Sequence, residues 1–480
     1  MKVTLVLCPR WDPCCPVASF GLLSSQLKMR GHDVEIADLN RVMTMLDVAS
    51  GYKSWGHLGT GDAGTSPEFV RSLFFNYRGW LESYARKLVS NGCRLFGFSS
   101  YYSNHLASLE FAKILKKTAP DIKIVFGGPN CLRFSFCLSC VREDCVDGVV
   151  FGEGDISFPG LVDGFEATGR LQAGPGILLK DDETTWKNEQ EIVDDLNRLP
   201  YADYSGFAML DTYEAKMIHT ARGCIRKCVF CSDWRQMSFR RMGGRRIFDE
   251  VAHQLSSHPK MNRFIFGDSI LNSSMPDLLE FCDLVLGRGL KISWEGYAIV
   301  RPDMPPRAME AMRRSGCRGL YYGVETGSSR LLRDMGKGVP AALNAEILRR
   351  TTEAGISSVV TWMVGFPTET EEFFEESLDF LRANAKNIGM LGMSLFSIQE
   401  MQDISERFNF APGQHDLFWN TKDGKNTFPV RLKRMRRTFE AAAEAGIYAG
   451  CWGISSLSEW ERCEQELMGR YESWLAAAPH

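Results

Sequence analysis

The sequence predicts an α/β chain in which an N-terminal doubly wound parallel sheet is followed by a partial (β/α)6 barrel and a C-terminal helical domain. Three observations predict it. Short apolar runs alternate with helix-length segments over residues 1–160. A second series of about six strand and helix units occupies residues 215–400. Residues 401–480 carry helix-length amphipathic stretches only. Periodicity alone leaves a second doubly wound sheet open for the middle series.

In chain order, "VTLVLCP" reads as a buried strand, "ASFGLLSSQLKMRGH" as a helix ended at Gly31, and "DVEIADL" as the second strand. The helical stretch "SPEFVRSLFFNYRGWLESYARKLVS" leads to strand "RLFGFSS", and "HLASLEFAKILKKTAP" leads to "IKIVFGGPN". "VDGVVFGEGD" closes the series. Ligands of such sheets bind at the carboxyl ends of the strands, where "CPRWDPCCP", "SSYYSNH", "GGPN" and "GEGD" fall. Residues 161–214 read as a small hairpin and a polar linker. The barrel strands are then "AKMIHTARG", "RFIFGDS", "KISWEGYAI", "GLYYGVETG", "ISSVVTWMVGFP" and "IGMLGMSLFSI", before the helices "RLKRMRRTFEAAAEAGIY" and "SLSEWERCEQELMGRYESWLAAA".

At 480 residues, 44% hydrophobic and 24% charged with net charge −3, the chain has the composition of a multi-domain globular protein. Nothing in that balance points to a nucleic-acid partner, although "RRMGGRR" is a local basic patch. The start, "MKVTLVLCPRWDP", has too short an apolar run for a signal peptide, and no window reaches the roughly 18 apolar residues of a membrane span. The expected location is the cytoplasm. Fifteen cysteines in a reducing compartment then favour metal or thiolate chemistry over a disulfide framework.

The densest group is "HTARGCIRKCVFCSDW", with Cys224, Cys228 and Cys231 spaced C-x3-C-x2-C. Three thiolates on one loop suit a [4Fe-4S] cube that keeps one iron open to a substrate or cofactor. A zinc knuckle completed by His219, or plain reduced thiols, is the competing reading.

"CIRKCVFC" resembles the signature of the radical S-adenosylmethionine (SAM) superfamily. "RFIFGDSILN" resembles the family's segment after the second barrel strand, "GLYYGVETGSSRLLRDMGKG" its ribose-contacting stretch, and "VVTWMVGFPTETEE" its GxPxET stretch. The resemblance implies that Cys224, Cys228 and Cys231 ligate three irons while SAM chelates the fourth. One electron would cleave the sulfonium to give methionine and a 5′-deoxyadenosyl radical. It implies further that Phe230 lies beside the adenine, that Asp268 contacts the methionine moiety, and that Glu325 and Ser328 contact the ribose. Asp268 and Glu325 read equally well as satisfied strand-end carboxylates. Gly365 and Pro367 would shape the turn by which the backbone approaches adenine.

The N-terminal α/β series resembles the cobalamin (B12)-binding, Rossmann-type domain that many members carry. The loops implied to surround a corrin are Ser99, Ser100, Tyr101 and Asn104, then Gly127 and Gly128, then Gly152, Glu153 and Gly154, with Trp11 covering one face. The D-x-H-x-x-G motif of methionine synthase-like domains is absent, so no cobalt ligand is assigned, and His32 reads as a surface residue. A domain that keeps this fold without the cofactor is the alternative.

Two further groups exceed what the family requires: Cys8, Cys14 and Cys15, and then Cys131, Cys137, Cys140 and Cys145. Three readings compete. They are reduced loop thiols, a structural zinc or auxiliary iron–sulfur site on the latter four, or a soft pocket holding a metalloid such as trivalent arsenic.

The function implied is a cobalamin-dependent radical SAM methyltransferase acting on an unactivated carbon, or phosphorus, of a natural-product precursor, either a small molecule or a peptide. Such an enzyme needs an electron donor such as flavodoxin or ferredoxin. The alternative is cobalamin-independent transfer of the 3-amino-3-carboxypropyl group of SAM to thiol-bound arsenic. A non-enzymatic iron–sulfur scaffold or sensor is the remote one. Tyr297, Arg301, Tyr322, Trp362, Gln399 and Glu400 are candidate substrate contacts.

Overall fold

The computed structural model describes residues 1–12, 14–50, 66–398, 407–411, 416–451 and 454–477. Gln399 and Glu400 therefore lie outside the described residues. By its internal packing the chain divides into two compact units. One comprises Met1–Gly56, Thr60–His219 and Arg240–Ile265, and the other includes Thr220–Phe239 and Phe266–His480.

The first unit is built on a six-stranded sheet: β1 (Lys2–Leu7), β2 (Asp33–Asp38), β3 (Leu95–Ser99), β4 (Lys123–Gly127), β5 (Gly148–Val150) and β6 (Ile177–Leu179). Its order is β2-β1-β3-β4-β5-β6, parallel except for the antiparallel β5/β6 pair. Alternate residues face opposite ways along a strand. Leu5 and Leu7 therefore join one buried cluster with Phe20 and Phe158, while Val6 and Cys8 join another with Phe98 and Phe111. Cores on both faces are what a doubly wound sheet requires. The order reverses between β1 and β3, which is the topological switch point where such sheets bind ligands. The stretch expected to form one long helix after Ser66 is two, Pro67–Asn76 and Arg78–Ser90, separated at Tyr77.

The segment 161–214 is not a polar linker. Ala202, Tyr204, Phe207, Leu210 and Tyr213 are buried in the same cluster as Phe20. Tyr204 donates its hydroxyl to Met217 O at 2.6 Å. Isolated apolar residues among polar ones carried no period to reveal this. His32 is likewise 4% exposed rather than on the surface, with Nε2 2.8 Å from Asp163.

The second sheet has seven strands in the order β15-β14-β13-β12-β11-β10-β7. They are β7 (Lys216–Ile218), β10 (Arg263–Phe266), β11 (Ser293–Ala298), β12 (Cys317–Glu325), β13 (Ser357–Val364), β14 (Met390–Leu395) and β15 (Ala449–Cys451), with β8 (Ala221–Arg222) and β9 (Arg240–Arg241) paired separately. From β11 onward all neighbours are parallel. The six expected barrel strands are all present. The seventh, β15, comes from the region expected to be purely helical, where it lies between helices Phe428–Glu444 and Leu457–Ala477.

Candidate functional site

The cysteine loop follows β7 and is shaped by Gly223, which adopts φ +68 with its missing Cβ 2.5 Å from Met237 O. A side chain there has no room. Cys228 is buried, while Cys224 and Cys231 are half-buried. The loop is pinned by Trp234 Nε1 donating to Cys228 O at 2.9 Å, by Arg235 donating to Cys231 O at 3.1 Å, and by Val229 N donating to Met335 O at 3.0 Å. Burial raises all three thiols, that of Cys231 to about 12 with help from Asp233, while Lys337 pulls Cys224 and Cys228 the other way. Metal binding here displaces protons.

Among the described residues no three His, Cys, Asp or Glu side chains converge as on a single metal ion. In a polynuclear cluster each thiolate takes a different iron. The three thiols on one partly accessible loop, none in a disulfide, fit a [4Fe-4S] cluster.

The sheet from β11 to β14 buries one face and leaves the other half-exposed, alternating residue by residue except where Gly319 and Leu320 are both buried. The open face carries Glu295, Tyr297, Tyr321, Gly323, Glu325, Thr361, Met363 and Ser394, with Tyr297 paired to Tyr321 and Gly323 to Thr361. Tyr297 and Tyr321 stack at 5.0 Å. Tyr322 and Trp362 belong to the other face: Tyr322 bonds Thr351 at 2.9 Å and Trp362 is 2% exposed against Phe380. Their sequence neighbours Tyr321 and Thr361 stand on the open face. Arg301 is consumed in tying loops together, donating to Asn272 O, Ser273 O and Asp303.

The motif residues separate by role. Asp268, 3% exposed, accepts from Thr220 N at 2.6 and 2.8 Å and from its hydroxyl, so it fastens the strand end. Ser328 caps helix Ser329–Asp334 and donates to Glu376. Gly327 lets helix Glu371–Asn384 approach, since a Cβ would stand 2.3 Å from Phe380 Cβ. Gly365, at φ +85, faces Arg431, whose Cδ lies 2.2 Å from the position of its missing Cβ, and Pro367 is buried beside it. Glu369 accepts from Gly365 N at 2.9 Å and from Arg434 at 3.1 Å, and burial raises it to about 7 against the pull of Arg434. Phe230 stays half-exposed, edge-on to Phe366. Glu325 also stays at the open face, held by Lys337 and Thr361 at 3.3 Å each.

At the switch point of the first sheet, Trp11 after β1 and Tyr101 after β3 pack at 4.1 Å. The buried indole N–H of Trp11 has no hydrogen-bond partner among the described residues. A Cβ on Gly127 would meet nothing closer than 3.8 Å. An orphaned donor and a roomy glycine at a switch point fit a large polar cofactor such as cobalamin. Other predicted contacts are occupied by the fold. Asn104 bonds Cys8 O and Ser99 O, and Ser100 bonds His105 and Asn130. Gly128 abuts Ser100, Gly152 abuts Gln190, Gly154 opens helix Gly154–Thr168, and Glu153 pairs with Arg240. Arg240, Arg245 and Arg246 of the basic patch are all neutralised, by Glu153, Asp249 and Glu250.

Cys131, Cys137, Cys140 and Cys145 lie in the hydrophobic core, the middle two on helix Phe134–Cys140, with Cys137 Sγ donating to Cys131 O at 3.4 Å. Burial raises Cys131, Cys140 and Cys145, the last to about 11. Cys8 and Cys15 are also fully buried. This is the packing of reduced core thiols.

Known proteins resemble this chain in sequence and in fold. Residues 218–381 match the Radical SAM superfamily model. An uncharacterised methyltransferase of Pyrococcus horikoshii is 28% identical over 280 residues, covering 56% of this chain and 60% of that protein. The chain thus spans less than two thirds of that relative. The radical SAM methyltransferase TsrM of Kitasatospora setae, solved with cobalamin and a [4Fe-4S] cluster, superposes over 99% of both chains with TM-score 0.66 at 15% identity. The cobalamin-dependent radical enzyme OxsB, solved with aqua-cobalamin and SAM, matches over 79% of this chain and 52% of its own, with TM-score 0.60 at 20% identity. At these identities the likeness is one of fold. In the described residues no helix is long and apolar enough to cross a membrane. Residues 218–381 thus match the Radical SAM superfamily, within a chain whose fold is like that of TsrM over its whole length.

Proposed function

We propose that the chain is a radical SAM methyltransferase that uses cobalamin and acts on an unactivated carbon, or phosphorus, of a small-molecule or peptide natural-product precursor. The observation that carries the reading is Cys224, Cys228 and Cys231 on one loop within the matched residues, all three as free thiols. When bound, the cluster supplies the electron that cleaves SAM and cobalamin supplies a methyl carrier. Cys224, Cys228 and Cys231 would hold the first, and Trp11, Ser99, Tyr101 and Gly127 would border the second. Phe230 and Glu325 offer a ring and a carboxylate to the nucleoside. Tyr297, Tyr321, Thr361 and Met363 line the open strand face available to substrate. The partner required is a one-electron donor such as flavodoxin or ferredoxin in the cytoplasm.

Transfer of an aminocarboxypropyl group to thiol-bound arsenic draws no support from the packing, because the upstream thiols other than Cys14 are buried. Anaerobic reconstitution with SAM, reductant and cobalamin tests the proposal. Iron near four per chain, bound corrin, and 5′-deoxyadenosine accompanied by S-adenosylhomocysteine are expected, and Cys228→Ala should abolish SAM cleavage. Cleavage retained by that variant, or 5′-methylthioadenosine as the nucleoside product, overturns it.

A further inference from the structure

β12 ends in a bulge between Gly323 and Glu325, and Glu325 has φ +67, the one non-glycine residue with positive φ among those described. Such a conformation is strained and persists where surrounding structure imposes it. What imposes it here is a small device. Glu325 Oε1 accepts from Lys337 Nζ and Thr361 Oγ1, each at 3.3 Å, and no described residue bonds Oε2. Both ionic side chains are 12% exposed. A Cβ on Gly323 would stand 2.8 Å from Oε1 and 2.9 Å from Nζ, so the motif's first glycine makes room for the ion pair. Lys337 is flanked by Gly336 and Gly338, both at left-handed φ. A Cβ on Gly336 would stand 3.3 Å from Lys227 O of the cysteine loop, Met335 O takes the Val229 amide, and the ammonium lies 5.8 Å from the centre of the Phe230 ring. One short segment therefore grips both the cysteine loop and the carboxylate.

We propose that Lys337 is a positioning residue for the nucleoside of SAM, clamping Glu325 through Oε1 so that Oε2 is fixed and free to accept hydrogen bonds from the ribose hydroxyls. The proposal rests on the radical SAM reading above. A hydrogen bond to a charged acceptor carries roughly tenfold or more in affinity, provided the acceptor is held in place. The test uses reconstituted wild type, Lys337→Met and Lys337→Arg, with iron counted per chain and Kd measured by equilibrium dialysis for SAM and for a SAM analogue lacking both ribose hydroxyls. Lys337→Met should bind SAM about tenfold more weakly while binding the analogue within about twofold of wild type. Its iron content should be unchanged, and Lys337→Arg should recover most of the loss. Equal weakening for both ligands, no weakening, or loss of iron in Lys337→Met overturns the proposal. Wild type that holds its iron yet binds neither ligand overturns the radical SAM reading itself, a result distinguishable from all of these.

Discussion

Glu369 shows how a motif residue can serve the fold. Its carboxylate bridges the Gly365 amide and the Arg434 guanidinium in full burial, which lifts it from 4.5 to about 7. Between those pH values the folded chain keeps a proton that the unfolded chain has released, so the contribution of Glu369 to stability is fully present below 4.5 and is lost as pH rises through 7. Glu369→Gln should therefore flatten the decline of Tm between pH 5 and pH 7.5, and an unchanged slope would contradict this assignment. At this scale the cysteine triad was legible because spacing alone defines it. Lys337 was not: a lysine between two glycines, 12 positions from its partner, reads as solvated surface until β12 and the segment after it are folded together. The difference between Tyr321 and Tyr322 was equally hidden. Both are aromatic on one strand, and only the packing of helices decides which parity is buried.

Elements were legible wherever a period repeated. Every predicted strand from "VTLVLCP" to "IGMLGMSLFSI" is found, because alternating or continuous apolar runs of strand length leave few other solutions. The three-residue β15, "AGC", has no run to detect and is defined only by pairing with Leu391, Gly392 and Met393. The glycines carried a different message from the one expected of ligand-approaching loops. Gly327 and Gly365 receive a helix and the Arg431 side chain respectively. Gly327→Ala should push helix Glu371–Asn384 off its seat and lower stability by about 1–3 kcal/mol, read as a shift of the denaturant midpoint with unchanged slope. A midpoint within error of wild type would show that the helix yields freely. Arg431, wholly buried over Trp419 at 3.5 Å and lowered to about 9 by desolvation, shows how dry this packing is.

Across the whole molecule, the expected division into sheet, linker, barrel and helical tail becomes two compact units whose membership does not follow chain order. The cysteine loop Thr220–Phe239 belongs to one unit and its flanking segments to the other. Sequence reading places boundaries where composition changes, whereas packing places them where apolar residues such as Tyr204 and Phe207 find a core. The fifteen cysteines give this a practical use. Eleven are buried, and only Cys14, Cys224, Cys231 and Cys463 are partly accessible. A folded chain is therefore its own footprinting reagent. Mass spectrometry after brief alkylation of native protein should find label concentrated on those four, with two of them, Cys224 and Cys231, disappearing from the labelled set once iron is loaded. Cluster occupancy can then be read as a change in peptide mass, without colour, spin or turnover.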